Sequence, residues 1–216
     1  MPHPNLQLIV FDLDGTLADS HRDLTDALNY AMAQLGKPGL PYEAVPPLLG
    51  SGLGYLLQEA AQTSDTKVLK AAKQHFDEYY AAHFTNKTQP YPGVSETLPL
   101  LSRYKLAVYS NKLHHFTLQI VGALGLAPHF SHIQGARPEL YPYKPHPGGL
   151  MHILSQLGIA PENALMVGDS THDIEAAKRA GMQSCAVTYG YRSEAALEAA
   201  SPGHIIHNFP ALTAIL

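Results

Sequence analysis

Leu8-Ile9-Val10-Phe11-Asp12-Leu13-Asp14-Gly15-Thr16-Leu17 sets the reading of the chain. An apolar, partly β-branched run ends abruptly in two carboxylates spaced i, i+2, then a glycine and a hydroxyl. Near-continuous hydrophobicity over residues 6–11, without alternation, predicts a strand buried on both faces. The spacing of Asp12 and Asp14 aims both side chains at one space while the backbone stays extended. Gly15 then permits a turn that a Cβ would resist. Two carboxylates in a partly desolvated site repel unless a cation sits between them. The stretch therefore reads as a divalent metal, an attacking carboxylate and a neighbouring acid/base. A capping Asp-Gly turn accounts for fragments of it, not for the whole.

Composition narrows the class. The chain has 216 residues, enough for one sizeable core plus a smaller insertion, and 45% hydrophobic content, which excludes disorder. A net charge of −4 with no Lys/Arg cluster argues against a nucleic-acid partner held by phosphate neutralisation. No stretch approaches the roughly 20 apolar residues that span a bilayer, so no membrane partner is expected. The N-terminal apolar run is broken by Asp12 and has no basic flank, unlike a signal peptide. The one cysteine, Cys185, lies in an apolar run; a buried, inert thiol in a reducing cytoplasm is expected. The 13 histidines lack HxxxH or Cys/His pairing and read as surface or loop residues rather than zinc ligands.

After Thr16 the pattern turns helical. Ser20 and Asp23 have the spacing of a capping box, and Leu24, Leu28, Met32 and Leu35 form a stripe that ends at Gly36. Pro46-Pro47 interrupts a short segment before Gly50-Ser51-Gly52-Leu53-Gly54, whose spacing is not that of a dinucleotide fingerprint. Asp65 caps a long predicted helix bearing Val68, Ala72, Phe76 and Tyr79/Tyr80. Residues 18–88 thus read as helices without a strand. Beyond Pro90-Tyr91-Pro92-Gly93 the grammar becomes alternation. Strands are expected at Leu106–Ser110, His132–Gln134, Ala164–Gly168, Ser184–Thr188 and His204–Ile206, and helices near Val94–Arg103, Phe116–Leu124, Pro147–Leu157, Ile174–Ala180 and Glu194–Ala199. Strand–helix alternation implies parallel pairing with right-handed crossovers, hence an α/β fold of three layers. Residues 1–17 and 89–216 would form the core, and 18–88 a helical cap over its carboxyl edge.

In such a sheet ligands bind outside the carboxyl ends of the strands. This chain places there Asp12 and Asp14, then Ser110-Asn111-Lys112, then Lys144-Pro145, then Asp169 with Asp173 four residues on. Taken singly, Ser110 reads first as a helix N-cap and Lys144 as a solvated surface charge. Asp169 and Asp173 alone would read as a cap followed by an exposed acid. Four separate segments supplying acids, a hydroxyl, an amide and a lysine to one edge point to a site.

Asp12-Leu13-Asp14-Gly15-Thr16 resembles the first motif of the haloacid dehalogenase-like hydrolases, which are mostly aspartate-nucleophile phosphatases. Ser110 resembles the second motif, Lys144 the third, and Gly168-Asp169-Ser170-Thr171-His172-Asp173 the fourth. Lys144-Pro145-His146-Pro147, Tyr91-Pro92-Gly93 and Thr188-Tyr189-Gly190-Tyr191 resemble the phosphoglycolate-phosphatase-like branch. The resemblance covers nearly the whole chain and implies a Rossmann-like core with a small α-helical cap. On that basis Asp12 would attack phosphorus and form an aspartyl-phosphate. Asp14 would protonate the leaving alkoxide and then activate water. Mg²⁺ would be held by Asp12, the Asp14 carbonyl and Asp169, with Asp173 supporting metal-bound water or orienting Lys144. Ser110 and Lys144, with Thr16 and Asn111, would bind the phosphoryl group, the latter two also positioning the site.

Dehalogenases of this fold, the resemblance implies, lack an acid at the position of Asp14, so its presence points to esters whose leaving oxygen needs a proton. The expected substrate is a small phosphorylated metabolite, phosphoglycolate first. A sugar phosphomutase, an inorganic pyrophosphatase and a non-catalytic phosphate-binding module are the alternatives. Relatives often carry a basic residue shortly before the cap glycines, where this chain has Pro46-Pro47; Lys112 or Arg137 could stand in. The loop at Gly50, Ser51 and Gly52 reads either as a lid over substrate or as a simple inter-helix turn.

Overall fold

The run Leu8–Phe11 forms strand β1, fully buried as its unbroken hydrophobicity requires. The computed structural model describes residues 5–216; the first four residues of the expected core segment 1–17 lie outside them. In chain order the elements are β1, β2 (Ala18–Asp19), α1 (His21–Gln34), α2 (Leu53–Ala61), α3 (Thr66–His83), β3 (Gln89–Pro90), α4 (Val94–Thr97), β4 (Lys105–Leu113), α5 (His114–Ala123), β5 (His132–Ala136), α6 (Gly148–Leu157), β6 (Ala164–Gly168), α7 (Thr171–Ala180), β7 (Gln183–Val187), α8 (Glu194–Ala199) and β8 (His204–Ile206).

A six-stranded sheet runs in the order β5-β4-β1-β6-β7-β8, with every neighbouring pair parallel. β1 is central, and its register decides where the chemistry falls. Phe11 pairs with Val108 on one side and Val167 on the other, so the three central strands end level. One step on, Asp12 stands beside the segments that carry Ser110 and Asp169. Alternate residues of β1 feed the two faces. Ile9 and Phe11 join the larger apolar core, whereas Leu8 and Val10 join Ala107, Leu150, Ile153, Met166 and Ala177 on the other face. Each of the buried Leu, Ile, Val, Phe and Met side chains contributes about 1.5–3 kcal/mol relative to exposure, which makes the sheet a rigid support for its own edge.

Helix punctuation follows local chemistry. Pro147 stands at the start of α6 and left-handed Gly158 ends it, and Asp65 accepts the Lys67 N–H to cap α3. The expected helix over Val94–Arg103 is only one α-turn, continued by a 3₁₀ segment at Leu98–Leu101 where Pro99 removes a donor. β4 is longer than its hydrophobic run predicts and carries Ser110, Asn111 and Lys112 within the strand, with a register shift against β5 between Tyr109 and Leu113. Ser110 is therefore not a helix cap.

Residues 18–88 are helical except at their margin, where β2 pairs antiparallel with β3 in register Ala18↔Pro90 and Asp19↔Gln89. Two residues per strand are too few to leave a periodic signal. Asp23 holds the same junction, accepting hydrogen bonds from Lys87 N, Thr88 N and the Thr88 hydroxyl. The expected Ser20–Asp23 capping box does not form. Asp23 is spent on the returning chain, and the Ser20 hydroxyl, which a capping box would turn to accept the Asp23 N–H, is turned to donate to the charged Asp14 Oδ1. Among the described residues no helix is long and apolar enough to cross a membrane.

Candidate active site

Asp12 leaves β1 with its Oδ1 doubly held: Leu13 N–H donates at 2.7 Å and Lys144 Nζ lies at 2.9 Å. Lys144 also donates to Asp173 Oδ1 at 2.6 Å and to the Tyr109 carbonyl at 3.0 Å. All three of its donors are thus used, and its Nζ lies over the Tyr109 ring at 5.2 Å. Its backbone is fixed by Asn111, whose Oδ1 accepts Lys144 N–H and whose Nδ2 donates to Lys144 O. The Lys144–Pro145 peptide is cis. Lys144 is 3% exposed, so the sequence alternative of a solvated surface charge does not hold.

β6 delivers Asp169, and α7 delivers Asp173. Ser170 and Asp173 form a capping box at the start of α7: the Ser170 amide and hydroxyl both donate to Asp173 Oδ2. Both oxygens of Asp173 are therefore engaged, one by its cap and one by Lys144. Gly168 precedes Asp169 because a Cβ there would meet Asp173 Cγ at 2.3 Å. Asp169 is enclosed from two sides. A Cβ at Gly15 (φ +85°) would fall 2.2 Å from its Oδ2, and one at Gly190 would fall 2.3 Å from its Cβ. Tyr191 N–H donates to Asp169 Oδ2 at 2.7 Å.

Carboxylate oxygens of Asp12, Asp169 and Asp173 lie within 4.8 Å of one another, all buried. Burial pushes the Asp12 carboxyl up to about 7 against the pull of Lys144. Burial, then the like charges of Asp12 and Asp173, hold Asp169 well above the carboxylate range. Burial opposes the charge of Lys144, yet Asp12 and Asp173 outweigh it and hold the ammonium above its ordinary value. Four carboxylates, counting Asp14, share this edge with the ammonium groups of Lys144 and Lys112. The surplus negative charge and the oxygen-only donor set fit a divalent cation. Asp12 and Asp169 each keep one oxygen that takes no hydrogen bond from the described residues, and Gly15, next to the Asp14 carbonyl, abuts Asp169. Those groups can hold the metal. Asp173, with both oxygens engaged, fits the orienting role toward Lys144.

The sheet edge opens into a cavity of about 80 Å³ lined by Asp12, Asp14, Ser110, Asn111 and Lys112 from the core side and by apolar residues of α1–α3 and the loop before α2. Asp12 and Asp14 thus face one space, as their spacing predicts. Ser110 is buried there, its hydroxyl accepting Lys112 N–H at 3.2 Å. Gly50 and Gly52 line the cavity and Ser51 does not. Asn111 departs from its expected phosphate-binding place: its amide is taken up by Lys144 and by Gly50 O at 2.8 Å, so it braces the site. Thr16 is fully buried, its hydroxyl without a hydrogen-bond partner among the described residues, and the Tyr189 hydroxyl donates to its carbonyl. Lys112, not Arg137, reaches the cavity; Arg137 lies at 2.6 Å from His114 Nε2 instead.

Residues 9–187 match the family model described as haloacid dehalogenase-like hydrolase. The chain belongs to that family. A phosphoglycolate phosphatase from Haemophilus influenzae is 35% identical over 97% of this chain and 98% of its own length. One from Neisseria meningitidis is 37% identical over 95% and 92%. Among solved structures, a predicted phosphoglycolate phosphatase from Haemophilus somnus superposes with a TM-score of 0.90 at 32% identity over 98% of both chains. As a family member this hydrolase shows the expected α/β core with its parallel sheet.

Sequence reasoning did not place Ser20, Tyr80, Tyr191 or Arg192 at the site. Tyr191 N–H holds Asp169, and its hydroxyl accepts Ser20 N–H at 3.0 Å. Arg192 reaches the loop before α2, donating to the carbonyls of Pro46 and Leu49. The available signal was the Tyr189–Arg192 run itself: polar aromatics and a cation directly after a buried strand, at the sheet's carboxyl edge. Cys185 is buried, and burial pushes its thiol up to about 12, the environment of an inert thiol.

Proposed function

We propose that this hydrolase is a Mg²⁺-dependent phosphomonoesterase that cleaves 2-phosphoglycolate through an aspartyl-phosphate on Asp12. The observation that carries the reading is the pair Asp12 and Asp14 facing one cavity beside Ser110, with Lys144 fixed on Asp12. The names of the relatives, matched over nearly their full length, support the substrate.

Asp12 attacks phosphorus in line, its carboxylate oriented by Leu13 N–H and Lys144. As the ester P–O bond breaks, Asp14 gives its proton to the departing alkoxide, which leaves as glycolate. Asp14 then takes a proton from water as that water attacks phosphorus, releasing phosphate and restoring Asp12. Ser20 aims Asp14 by donating to its Oδ1. Ser110 binds a phosphoryl oxygen, and Lys144 neutralises charge on the transferring group. Asp12, the Asp14 carbonyl and Asp169 would hold magnesium, which when bound would supply Lewis-acid charge that keeps Asp12 ionised and offsets the phosphoryl oxygens.

Residues 1–17 and 89–216 act as the catalytic core, and 18–88 as a cap joined to it through β2 and β3. The loop at Gly50–Gly52 closes over substrate and excludes water. Cytoplasmic residence accords with the single buried thiol. The test is a panel with Mg²⁺ comparing 2-phosphoglycolate, sugar phosphates, nucleotides and pyrophosphate. Phosphate release from phosphoglycolate, abolished in Asp12→Asn and by chelation, is expected; a strong preference for pyrophosphate, or isomerised sugar phosphate as product, would replace this reading.

A further inference from the structure

Lys112 is the one ammonium or guanidinium group among the described residues that line the cavity. Its side chain is 7% exposed. It reaches Tyr80 OH on α3 at 2.9 Å and lies 3.4 Å from Asp14 Oδ2. Around it the walls are Leu24, Leu53, Leu56, Phe76, Leu113 and Phe116. Burial opposes its charge, but Asp14 and then Tyr80 hold the ammonium above its ordinary value. Burial likewise pushes the Tyr80 hydroxyl up to about 12, so it stays protonated.

Two donors are left facing this apolar space. Tyr80 spends its oxygen accepting the Lys112 N–H, and no described acceptor takes its own proton. Lys112 has three N–H groups, of which Tyr80 takes one and Asp14 accepts at most a long second contact. The mechanistic machinery uses neither group. Asp12 and Lys144 flank phosphorus, whereas Lys112 lies beyond Asp14, which faces the ester oxygen. Whatever meets Lys112 and Tyr80 is therefore part of the leaving group and lies close to that oxygen. Low-dielectric walls strengthen an ionic hydrogen bond there and penalise an unpaired ammonium.

We propose that Lys112 and Tyr80 form the specificity subsite of this enzyme, receiving a carboxylate carried next to the phosphoester oxygen. This rests on the phosphomonoesterase reading above and adds what selects the substrate. A phosphorylated 2-hydroxy acid satisfies both donors; a neutral alkyl phosphate of the same size leaves them unpaired.

The experiment compares 2-phosphoglycolate with ethyl phosphate, which lacks only the carboxylate, in wild type, Lys112→Met and Tyr80→Phe, with Mg²⁺ present. Lys112→Met should lower kcat/KM on phosphoglycolate by roughly 10- to 100-fold, mainly through KM, the size of a lost charge-assisted hydrogen bond. Ethyl phosphate, which offers no carboxylate to Lys112, should lose several-fold less than phosphoglycolate, and any loss common to both esters reports the contact of Lys112 with Asp14. Tyr80→Phe, which keeps the lysine and the ring, should show the same substrate-selective loss at smaller size and covers the case in which Lys112→Met does not fold. Equal losses on both substrates, or none on either, would overturn the subsite while leaving the phosphomonoesterase standing. A wild type that releases phosphate from neither ester would instead remove the phosphomonoesterase reading, and this proposal with it.

Discussion

Lys144 Nζ lies 2.9 Å from Asp12 Oδ1, with both side chains almost wholly withdrawn from water. An ion pair at this depth survives only because every donor of the ammonium is engaged, the others by Asp173 and the Tyr109 carbonyl. The same geometry that stabilises the pair holds a cation against the group that would carry the phosphoryl.

Lys144→Met should therefore fail twice. Turnover should fall by about 10²–10³-fold, the scale of a lost electrostatic contact to the transferring group. Stability of the metal-free protein should also fall, by about 3–5 kcal/mol at pH 8, because Asp12 and Asp173 are left buried without their cation. That deficit should shrink toward pH 5.5. Asp12, already pushed up to about 7 by burial, takes up a proton and ceases to need a partner. Urea denaturation in chelator at the two pH values measures this; a deficit that is equal or larger at low pH contradicts the ion pair's structural role.

Metal-free wild type carries the opposite imprint of its acids. The folded value of Asp12 is near 7 against an ordinary 3.8, and Asp169 is raised in the same direction. The folded state thus binds protons more tightly than the unfolded one. This contribution is fully present below the unfolded value and is lost as pH rises through about 7, with a slope of up to about 1.4 kcal/mol per pH unit for each group. Asp12→Asn removes one of these groups. The stability difference, wild type minus variant, should fall with rising pH and level off above about 7. Magnesium at about 100 times its dissociation constant should return about 2.7 kcal/mol to wild type at pH 8 and less to the variant. A difference that rises with pH, or a variant stabilised equally by magnesium, would count against Asp12 as a buried ligand.

The parallel core was legible because its strands are hydrophobic on both faces and its helices stop at glycines such as Gly158 and Gly181. Asp12, Lys144 and Asp169 were legible because each follows such a strand and lands on its carboxyl edge. Ser20 was misread because one hydroxyl can accept from a helix amide or donate to a carboxylate, and only the three-dimensional approach of Asp14 shows where it points. Asn111 was misplaced for a similar reason: an amide beside a phosphate site can serve the ligand or the neighbouring backbone, and here Lys144 and Gly50 claim it. β2 and β3, at two residues each, fall below any periodicity. Tyr80 and Arg192 meet the site from across the chain, a relationship that local pattern does not encode.

Arg192 ties the core to the loop before α2 through the carbonyls of Pro46 and Leu49, and Asn111 ties the same loop through Gly50. Arg192→Ala should release one of the two ties. Loss of its charge-assisted bonds, about 1–3 kcal/mol locally, should raise KM about 10-fold while kcat falls much less, since no reacting group is touched. Proteolytic cleavage within residues 46–54 should accelerate in the variant and slow again when substrate is bound. An unchanged cleavage rate would mean that the loop is held without Arg192.

Gly190→Ala isolates the steric frame of Asp169. The backbone at Gly190 is not left-handed, so a side chain there meets no conformational penalty. Its Cβ, however, would lie 2.3 Å from Asp169 Cβ and 2.4 Å from the Gly15 carbonyl. Neither neighbour can retreat: Asp169 leaves the end of a central strand, and Gly15 already sits at φ +85° against the same carboxylate. Accommodation must separate the Tyr189–Arg192 run from the sheet edge, breaking the Tyr191 N–H bond to Asp169. The expected cost is about 1–3 kcal/mol of stability, as for overpacking elsewhere. Magnesium affinity should weaken more than the stability loss alone accounts for, because Asp169 loses its aim. Titrating magnesium into the folded variant at a temperature well below its Tm separates the two effects. A variant that is merely less stable but binds magnesium as wild type does would show that Asp169 is aimed by β6 alone.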